Sequence, residues 1–175
     1  MKSYTLLSLL FLVLLLNFNF IAHGQDQKEE EPKLVHSIGA GAGFSTGYGL
    51  SYRYKPGNFG GQINLAPYVD QNIKRYSLGL TFLYTLIENR FSSLYLYQGN
   101  HFYYNSQFTE IYLPYPPYTM SRERITESYM NNGLGFGLEI IIAKRIGFNI
   151  MAGYAAYKNF TQLNLTGETA LYYKF

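Results

Sequence analysis

Residues 163–175 read LNLTGETALYYKF. Apolar side chains recur at alternate positions in this stretch, and polar ones lie between them. Successive side chains of a β-strand point to opposite faces, so the alternation predicts a strand with one apolar and one polar face. The apolar set is Leu163, Leu165, Leu171, Tyr173 and Phe175, and the polar set is Asn164, Thr166, Glu168 and Lys174.

The period of two continues upstream through most of the chain. It predicts seven further strands, at about residues 34–44, 48–55, 59–69, 76–86, 91–104, 133–142 and 146–154. Glycine at alternate residues from Gly39 to Gly43, and again from Gly133 to Gly137, marks the face opposite the apolar one. Gly99 is a candidate bulge in the fifth strand. Which face of that strand points outward stays open.

The first 24 residues have the three parts of a secretory signal. Lys2 supplies the positive charge, residues 6–16 are nearly all apolar, and small residues at 22–24 suit cleavage near Gly24. We therefore expect residues 1–24 to be a signal peptide. Residues 25–33 contain the run Glu29-Glu30-Glu31 and are expected to form a short acidic periplasmic tether before the folded domain, residues 34–175.

The predicted strands have the right length for a bilayer, because a tilted transmembrane strand needs roughly 9–11 residues. Open sheet edges cannot face lipid, so apolar-faced strands in a membrane must close into a barrel. The predicted fold is therefore all-β, an eight-stranded antiparallel up-and-down transmembrane β-barrel. Short turns at 56–58, 88–90 and 143–145 would then lie on the periplasmic side, and the long connection from Asn105 to Glu127 outside.

Composition argues against several kinds of site. The chain has no Cys, so it has no thiolate metal site and no disulfide. Its formal net charge is +3 and its basic residues are scattered, which indicates no nucleic-acid partner. The few His and Asp residues are not clustered, so we predict no catalytic, cofactor-binding or metal-binding residues.

The face opposite the apolar one carries charged side chains that need partners. An unpaired charge away from water is costly, so we expect Arg53 to pair with Glu139 or Glu168 in a salt-bridge network in the barrel lumen. The interior of an eight-stranded barrel is just wide enough for side chains to fill. We therefore predict a filled, non-conducting interior.

The stretch from Asn105 to Glu127 is rich in Tyr and Pro and ends near Arg122-Glu123-Arg124. Loops carry function, and Tyr is a favoured contact residue. One interpretation is a surface loop that binds an extracellular ligand or protein. The other is that strands five and six extend beyond the membrane, with aromatic side chains in the headgroup belt. The candidate contacts are Tyr112, Tyr115, Tyr118, Arg122 and Arg124.

The signal peptide, the eight alternating strands, the loop asymmetry and the terminal Phe175 resemble those of small outer-membrane β-barrel proteins, the eight-stranded family that includes the OmpA and OmpX types. The resemblance implies residence in the cell outer membrane of a Gram-negative bacterium, among outer-membrane lipid. It also implies insertion by the outer-membrane assembly machinery, with Phe175 as the assembly signal. The implied role is structural or surface-binding, in adhesion, envelope integrity or defence against host factors. We expect no enzymatic activity and no cofactor.

Two other function classes stay open. An outer-membrane lipid-modifying enzyme would use His101, although no carboxylate can be assigned to orient that histidine. A soluble periplasmic lipocalin-like binding barrel would hold an apolar ligand and would turn its polar face outward. The direction of the apolar faces separates the soluble barrel from the membrane barrel.

Overall fold

The computed structural model describes residues 34–112 and 120–175, except for the side chains of residues 111, 112, 120 and 121. Each strand is antiparallel to the next, and β8 pairs with β1, so the sheet closes into a barrel. The predicted eight-stranded up-and-down β-barrel is confirmed. The strands are β1 (His36–Gly43), β2 (Gly49–Tyr54), β3 (Phe59–Val69), β4 (Ile73–Glu88), β5 (Ser92–Tyr112), β6 (Met120–Ile142), β7 (Ile146–Tyr157) and β8 (Gln162–Lys174).

The strands are staggered around the barrel. A path that starts at Ile38 and passes from each residue to its partner on the next strand reaches Leu163 on β8. Ile38 itself pairs with Tyr173 on β8, so one turn around the barrel is offset by ten residues along the strand. Because of this offset the strands are tilted by roughly 35–45° from the barrel axis. Each residue then advances about 2.5 Å along that axis. The partners in turn are Ile38, Tyr52, Ile63, Leu80, Asn100, Asn132, Ala156 and Leu163.

The outer surface of the barrel is apolar and its interior is polar. Leu50, Leu80 and Phe136 are exposed on the outside, whereas Asn64 and Asn149 are buried within. Such a surface suits hydrocarbon and is typical of a barrel that spans a membrane. It is the reverse of the arrangement expected for a soluble lipocalin-like barrel, so the chain forms a transmembrane β-barrel.

The two ends of the barrel differ. Three short connections, at residues 55–58, 89–91 and 143–145, lie at the end that carries Phe175. Aromatic rings cluster there, with His36 stacked on Phe175 and lying against Tyr52 and Tyr54. The first, second and fourth connections at the opposite end span residues 44–48, 70–72 and 158–161. We call the Phe175 end the inner end and the opposite end the outer end.

The prediction of a long loop from Asn105 to Glu127 is wrong for most of this stretch, which is strand instead. Residues 105–112 and 120–127 continue β5 and β6, and they are paired from Asn105↔Glu127 to Tyr112↔Met120. Alternating side chains favour strand, and Thr109 and Ile125 have the β-branched chemistry of strands. This outcome matches the interpretation in which the fifth and sixth strands extend beyond the membrane. Residues 113–119 lie outside the described residues.

The faces of β5 are settled by the burial of its side chains. Tyr95 and Tyr97 are buried inside the barrel, whereas Gln98 and Asn100 lie on the outer side. The ladder from β5 to β6 runs through Gly99 without a shift, so the expected bulge at Gly99 is wrong. The pattern was unclear because the inner face carries large aromatic rings and the outer face carries two amides. The irregularity lies instead between Thr85 and Ile87 on β4.

In the described part of the chain, no helix is long and apolar enough to cross a membrane. Residues 1–24 and 25–33, expected to be a signal peptide and a tether, lie outside the described residues.

Candidate functional site

The β5–β6 hairpin extends further than its neighbours at the outer end. The ladder between β4 and β5 ends at Ile73↔Gln107, and the ladder between β6 and β7 ends at Asn132↔Ala156. Among the described strands, residues 108–112 and 120–124 therefore pair only with each other, over five residue pairs. The Phe108 backbone N–H also donates to Asn72 O at 3.2 Å, in the turn between β3 and β4. We call this two-stranded projection the arm.

Both arginines predicted as contacts lie on one face of the arm. Phe108 is directly opposite Arg124, and Arg122 is two residues away on the same side of the strand. The guanidinium carbons of Arg122 and Arg124 lie 5.1 and 4.5 Å from the centroid of the Phe108 ring. Arg122 Nη2 also donates a hydrogen bond to Asn72 Oδ1 at 3.0 Å. The ring and the amide thus hold two cations side by side.

The same face carries a third cation. Lys74 is exposed and lies opposite Ser106, two residues before Phe108. Glu110, opposite Arg122, adds a carboxylate to this face. Of the predicted tyrosine contacts, Tyr115 and Tyr118 lie outside the described residues, as does the side chain of Tyr112.

Arg53 and Glu139 meet inside the barrel towards the inner end. Arg53 is 3% exposed and Glu139 is 1% exposed. Arg53 Nη1 lies 3.7 Å from Glu139 Oε2, and Lys174 Nζ lies 2.7 Å from Glu139 Oε1. Arg53 Nη2 donates to Gln62 Oε1 at 2.8 Å, and its guanidinium stacks 4.3 Å from the Tyr172 ring centroid. Several groups therefore share the cost of burying these charges.

Glu168 takes a different place from the one expected. In the described residues it forms no ion pair with Arg53, and it accepts hydrogen bonds from Ser45 and Thr166 instead. Both carboxylates face inward, but they lie at different heights in the lumen. The sequence pattern gives the face of a residue but not its height.

In the connection between β1 and β2, residues 45–47 fold back into the lumen. Ser45 is 0% exposed and Thr46 is 1% exposed. Asn64 Nδ2 donates to Thr46 O at 2.8 Å, and Asn131 Nδ2 donates to Phe44 O at 2.9 Å. We call Ser45–Gly47 the plug. Its buried polar groups find partners on the barrel wall, which is what a buried turn requires.

Glycines on the wall make room for the plug. A Cβ atom on Gly79 would overlap Thr46 O, and one on Gly133 would overlap the Ser45 side chain. At Gly99 a Cβ would lie 2.7 Å from Ser45 O, which is also too close. Sequence reasoning missed the plug because Ser45-Thr46-Gly47 has the composition of an ordinary turn. The inward glycines were its one available signal.

His101 belongs to the support of the plug. Its Nδ1 lies 2.9 Å from Phe44 O, and its Nε2 lies 2.9 Å from Ser77 Oγ. The ring is 3% exposed and faces the lumen rather than the membrane. Its described hydrogen-bond partners do not include the carboxylate that orients a catalytic histidine. This geometry favours a structural role over the lipid-modifying alternative.

Within residues 34–112 and 120–175, no group of three His, Cys, Asp or Glu side chains could hold a metal ion. At the inner end, His36 Nδ1 lies 2.7 Å from the Tyr52 hydroxyl.

No protein-family model matches the chain, and no curated protein matches its sequence. Several solved structures resemble it, including three that each cover 80% of this chain. The N-terminal β-barrel domain of Pseudomonas aeruginosa OprF is 13% identical, with 95% of that chain covered and a TM-score of 0.47. Neisserial surface protein A is 13% identical, with 93% covered and a TM-score of 0.39. Ail, the attachment invasion locus protein of Yersinia pestis, is 18% identical, with 93% covered and a TM-score of 0.36.

At these identities the similarity concerns the fold alone. The closed eight-stranded barrel of this chain confirms, at the level of fold, the predicted resemblance to small outer-membrane β-barrel proteins.

Proposed function

We propose that this protein is a non-enzymatic, surface-binding β-barrel of the Gram-negative outer membrane, with a filled, non-conducting interior. The observation that carries the proposal is the arm, which holds two arginines on one half-buried ring, Phe108, beyond the end of the barrel wall. The partner would be an extracellular ligand or protein with anionic groups.

The outer-membrane placement is supported by the apolar outer surface and by β8. Phe175 exchanges backbone hydrogen bonds with His36, at 2.9 and 3.2 Å, so the end of β8 closes the barrel against the start of β1. Its ring is exposed at the inner rim. We propose that the assembly machinery recognises β8 through Phe175, after a signal peptide is removed near Gly24.

The filled interior is supported by three groups of side chains. The plug occupies the outer part, and the Arg53–Glu139 pair occupies the inner part. A buried cluster of Leu83, Tyr95, Tyr97 and Met151 adds apolar filling. With its lumen filled in this way, we expect the barrel to have no continuous water path for ions.

The binding role is supported by the charge and the rigidity of the arm. Arg122, Arg124 and Lys74 lie on one face, so an anionic group there can meet more than one cation. The Phe108 ring contacts both guanidinium groups and Asn72 accepts a hydrogen bond from Arg122, so these side chains are partly ordered before binding, which lowers the entropy cost of binding. Arginine suits sulfate, phosphate and carboxylate groups because its guanidinium presents paired donors.

Calorimetry with sucrose octasulfate, a compact polyanion, tests the arm directly. We expect the purified protein in detergent to bind it, and the double variant R122Q/R124Q to bind at least about tenfold more weakly. The matched control is Arg90→Gln, because Arg90 also lies over a phenylalanine ring, 5.4 Å from the Phe91 centroid, but at the inner end. No binding by the native protein, or equal loss in both variants, would contradict the role of the arm.

A further inference from the structure

The barrel wall has a lateral opening at its outer end, between β1 and β8. The β1–β8 ladder ends at Gly43↔Glu168, because the chain after Phe44 turns inward to form the plug. On its other side β8 remains paired with β7 as far as Tyr157↔Gln162. Among the strands that the structure describes, none pairs with residues 162–167 of β8 on the β1 side. We call this opening the notch.

A cavity lies at the notch and joins the mouth of the barrel to its outer surface. Its volume is about 350 Å³. Phe44 and Leu165, which are 68% and 73% exposed on the outside of the barrel, form part of its lining. Tyr129 and Asn131 of β6 also line it, and Asn131 is buried inside the barrel. Because one cavity contacts both sets of side chains, it is open sideways as well as upwards.

The notch lies close to the outer boundary of the apolar band. Phe44 is eight residues beyond His36, which belongs to the aromatic cluster at the inner end. At an axial rise of about 2.5 Å per residue, Phe44 lies about 20 Å from that cluster. The apolar band of such barrels is about 25 Å tall. The cavity therefore opens where the acyl chains of outer-leaflet lipids meet their headgroups.

The inner lining of the cavity suits a headgroup rich in hydroxyl groups. Tyr129, Tyr157, Gln162 and Asn164 can each donate and accept hydrogen bonds, as sugar hydroxyls do. Lys158 adds one cation to the lining. Asn131 Oδ1 accepts a hydrogen bond from the Lys158 backbone N–H at 3.0 Å, so the turn that carries the cation is fixed to the wall. A phosphate is the group that this lysine would meet.

The outer border of the cavity suits acyl chains. Phe44 and Leu165 flank the notch, and Leu163 is exposed on the same outward face of β8. We propose that the notch binds, from the side, the phosphorylated saccharide headgroup of an outer-leaflet glycolipid, with its acyl chains against Phe44 and Leu165. The inference rests on the membrane placement in the proposed function but does not use the arm.

The test uses the full-length mature protein in nanodiscs of phosphatidylcholine that contain equal small amounts of lipid A and phosphatidylethanolamine. Native mass spectrometry after release measures which lipids stay bound. We expect lipid A to be retained over phosphatidylethanolamine. In K158N/N164A we expect about tenfold less retention, because a charge-assisted contact and an amide contact are lost.

The matched control is Lys144→Asn. Lys144 and Lys158 are both turn lysines with positive φ, 65° and 48°, a conformation that asparagine tolerates, but Lys144 is at the inner end. Equal retention of lipid A in K158N/N164A and K144N would overturn the proposal, and so would preferential retention of phosphatidylethanolamine. Equally tight binding of the soluble, deacylated phosphorylated disaccharide would overturn the lateral part of it. Loss of lipid A in R122Q/R124Q, with retention in K158N/N164A, would assign the lipid to the arm instead.

Discussion

Glu139 compensates the positive charges of Arg53 and Lys174 in the lumen near the inner end. Its carboxylate lies 3.7 Å from the Arg53 guanidinium and 2.7 Å from the Lys174 ammonium, and both it and Arg53 are buried. Removing one partner of a buried pair leaves an uncompensated charge, which typically costs about 3–5 kcal/mol. We expect Glu139→Gln to lower the free energy of unfolding by about that amount in a urea titration of the protein folded in lipid vesicles.

Glu88→Gln is the matched control for that change. The Glu88 carboxylate pairs with Lys55 at 3.2 Å, but its side chain is 37% exposed at the inner end. Because the Glu88 carboxylate is open to water, the pair is expected to contribute only about 1 kcal/mol or less, and the control should have nearly the free energy of unfolding of the native protein. If both substitutions lowered the free energy of unfolding equally, the buried pair would not stabilise the protein more than the pair at the inner end.

Gly79 is small because the plug needs its space. A Cβ atom at this position would overlap the backbone oxygen of Thr46, which cannot rotate away as a side chain could. We expect Gly79→Ala to lower the free energy of unfolding by about 1–3 kcal/mol through overpacking. The control is Gly167→Ala, on the outer surface of β8, where a Cβ would have no atom within 4 Å. It should leave the free energy of unfolding nearly unchanged. A stable Gly79→Ala barrel with the plug still protected from proteases would contradict this packing.

The ion pair of Arg53 shows which features of a buried residue can be predicted from the sequence. Strand alternation places Arg53, Glu139 and Glu168 correctly on the inward side. It does not separate Glu139 from Glu168, because their heights depend on the stagger of the strands, which arises only when all eight strands pair. Glu168 accepts a hydrogen bond from Ser45 of the plug, and nothing in the local sequence predicts that this turn folds into the lumen.

Among the elements, the arm touches the turn between β3 and β4, where the Phe108 backbone N–H and the Arg122 side chain bond to Asn72. Within the described strands, residues 108–112 and 120–124 pair only with each other, so their removal breaks no other strand ladder. We expect replacement of residues 108–124 by a short Gly-Ser turn to leave the barrel folded, with its unboiled form still migrating faster in a gel. Binding of sucrose octasulfate should be lost. Failure of the shortened protein to fold would mean that the arm stabilises the barrel.

Strand existence was predictable for all eight elements, whereas strand length and connections were less so. Alternation identified β8 directly, since its outward set is apolar and its inward set polar. It ended β5 too early, because Asn105 and the prolines that follow have turn chemistry while the strand continues to Tyr112. The inward fold of residues 45–47 depends on hydrogen bonds from β3, β5 and β6 to the backbone of residues 44–47, and these partners are distant in sequence.

For the whole molecule, the packed lumen predicts an absence of ion conduction. We expect the protein to show no steady conductance in a planar lipid bilayer. Replacing Ser45–Gly47 with an Asn-Gly turn, which joins adjacent strands directly, should not open it, because the Arg53–Glu139 pair and the Tyr95 side chain still fill the inner part. A steady channel in the native protein would contradict the filled interior.

All of these inferences depend on a closed barrel that lies in the outer membrane. A heat-modifiability gel of outer-membrane fractions, which compares boiled with unboiled samples, is the first measurement to make. We expect the protein to sediment with the outer membrane and to migrate faster before boiling, because the closed hydrogen-bonded barrel resists detergent unfolding. A protein found in the soluble periplasmic fraction, with the same mobility before and after boiling, would contradict it.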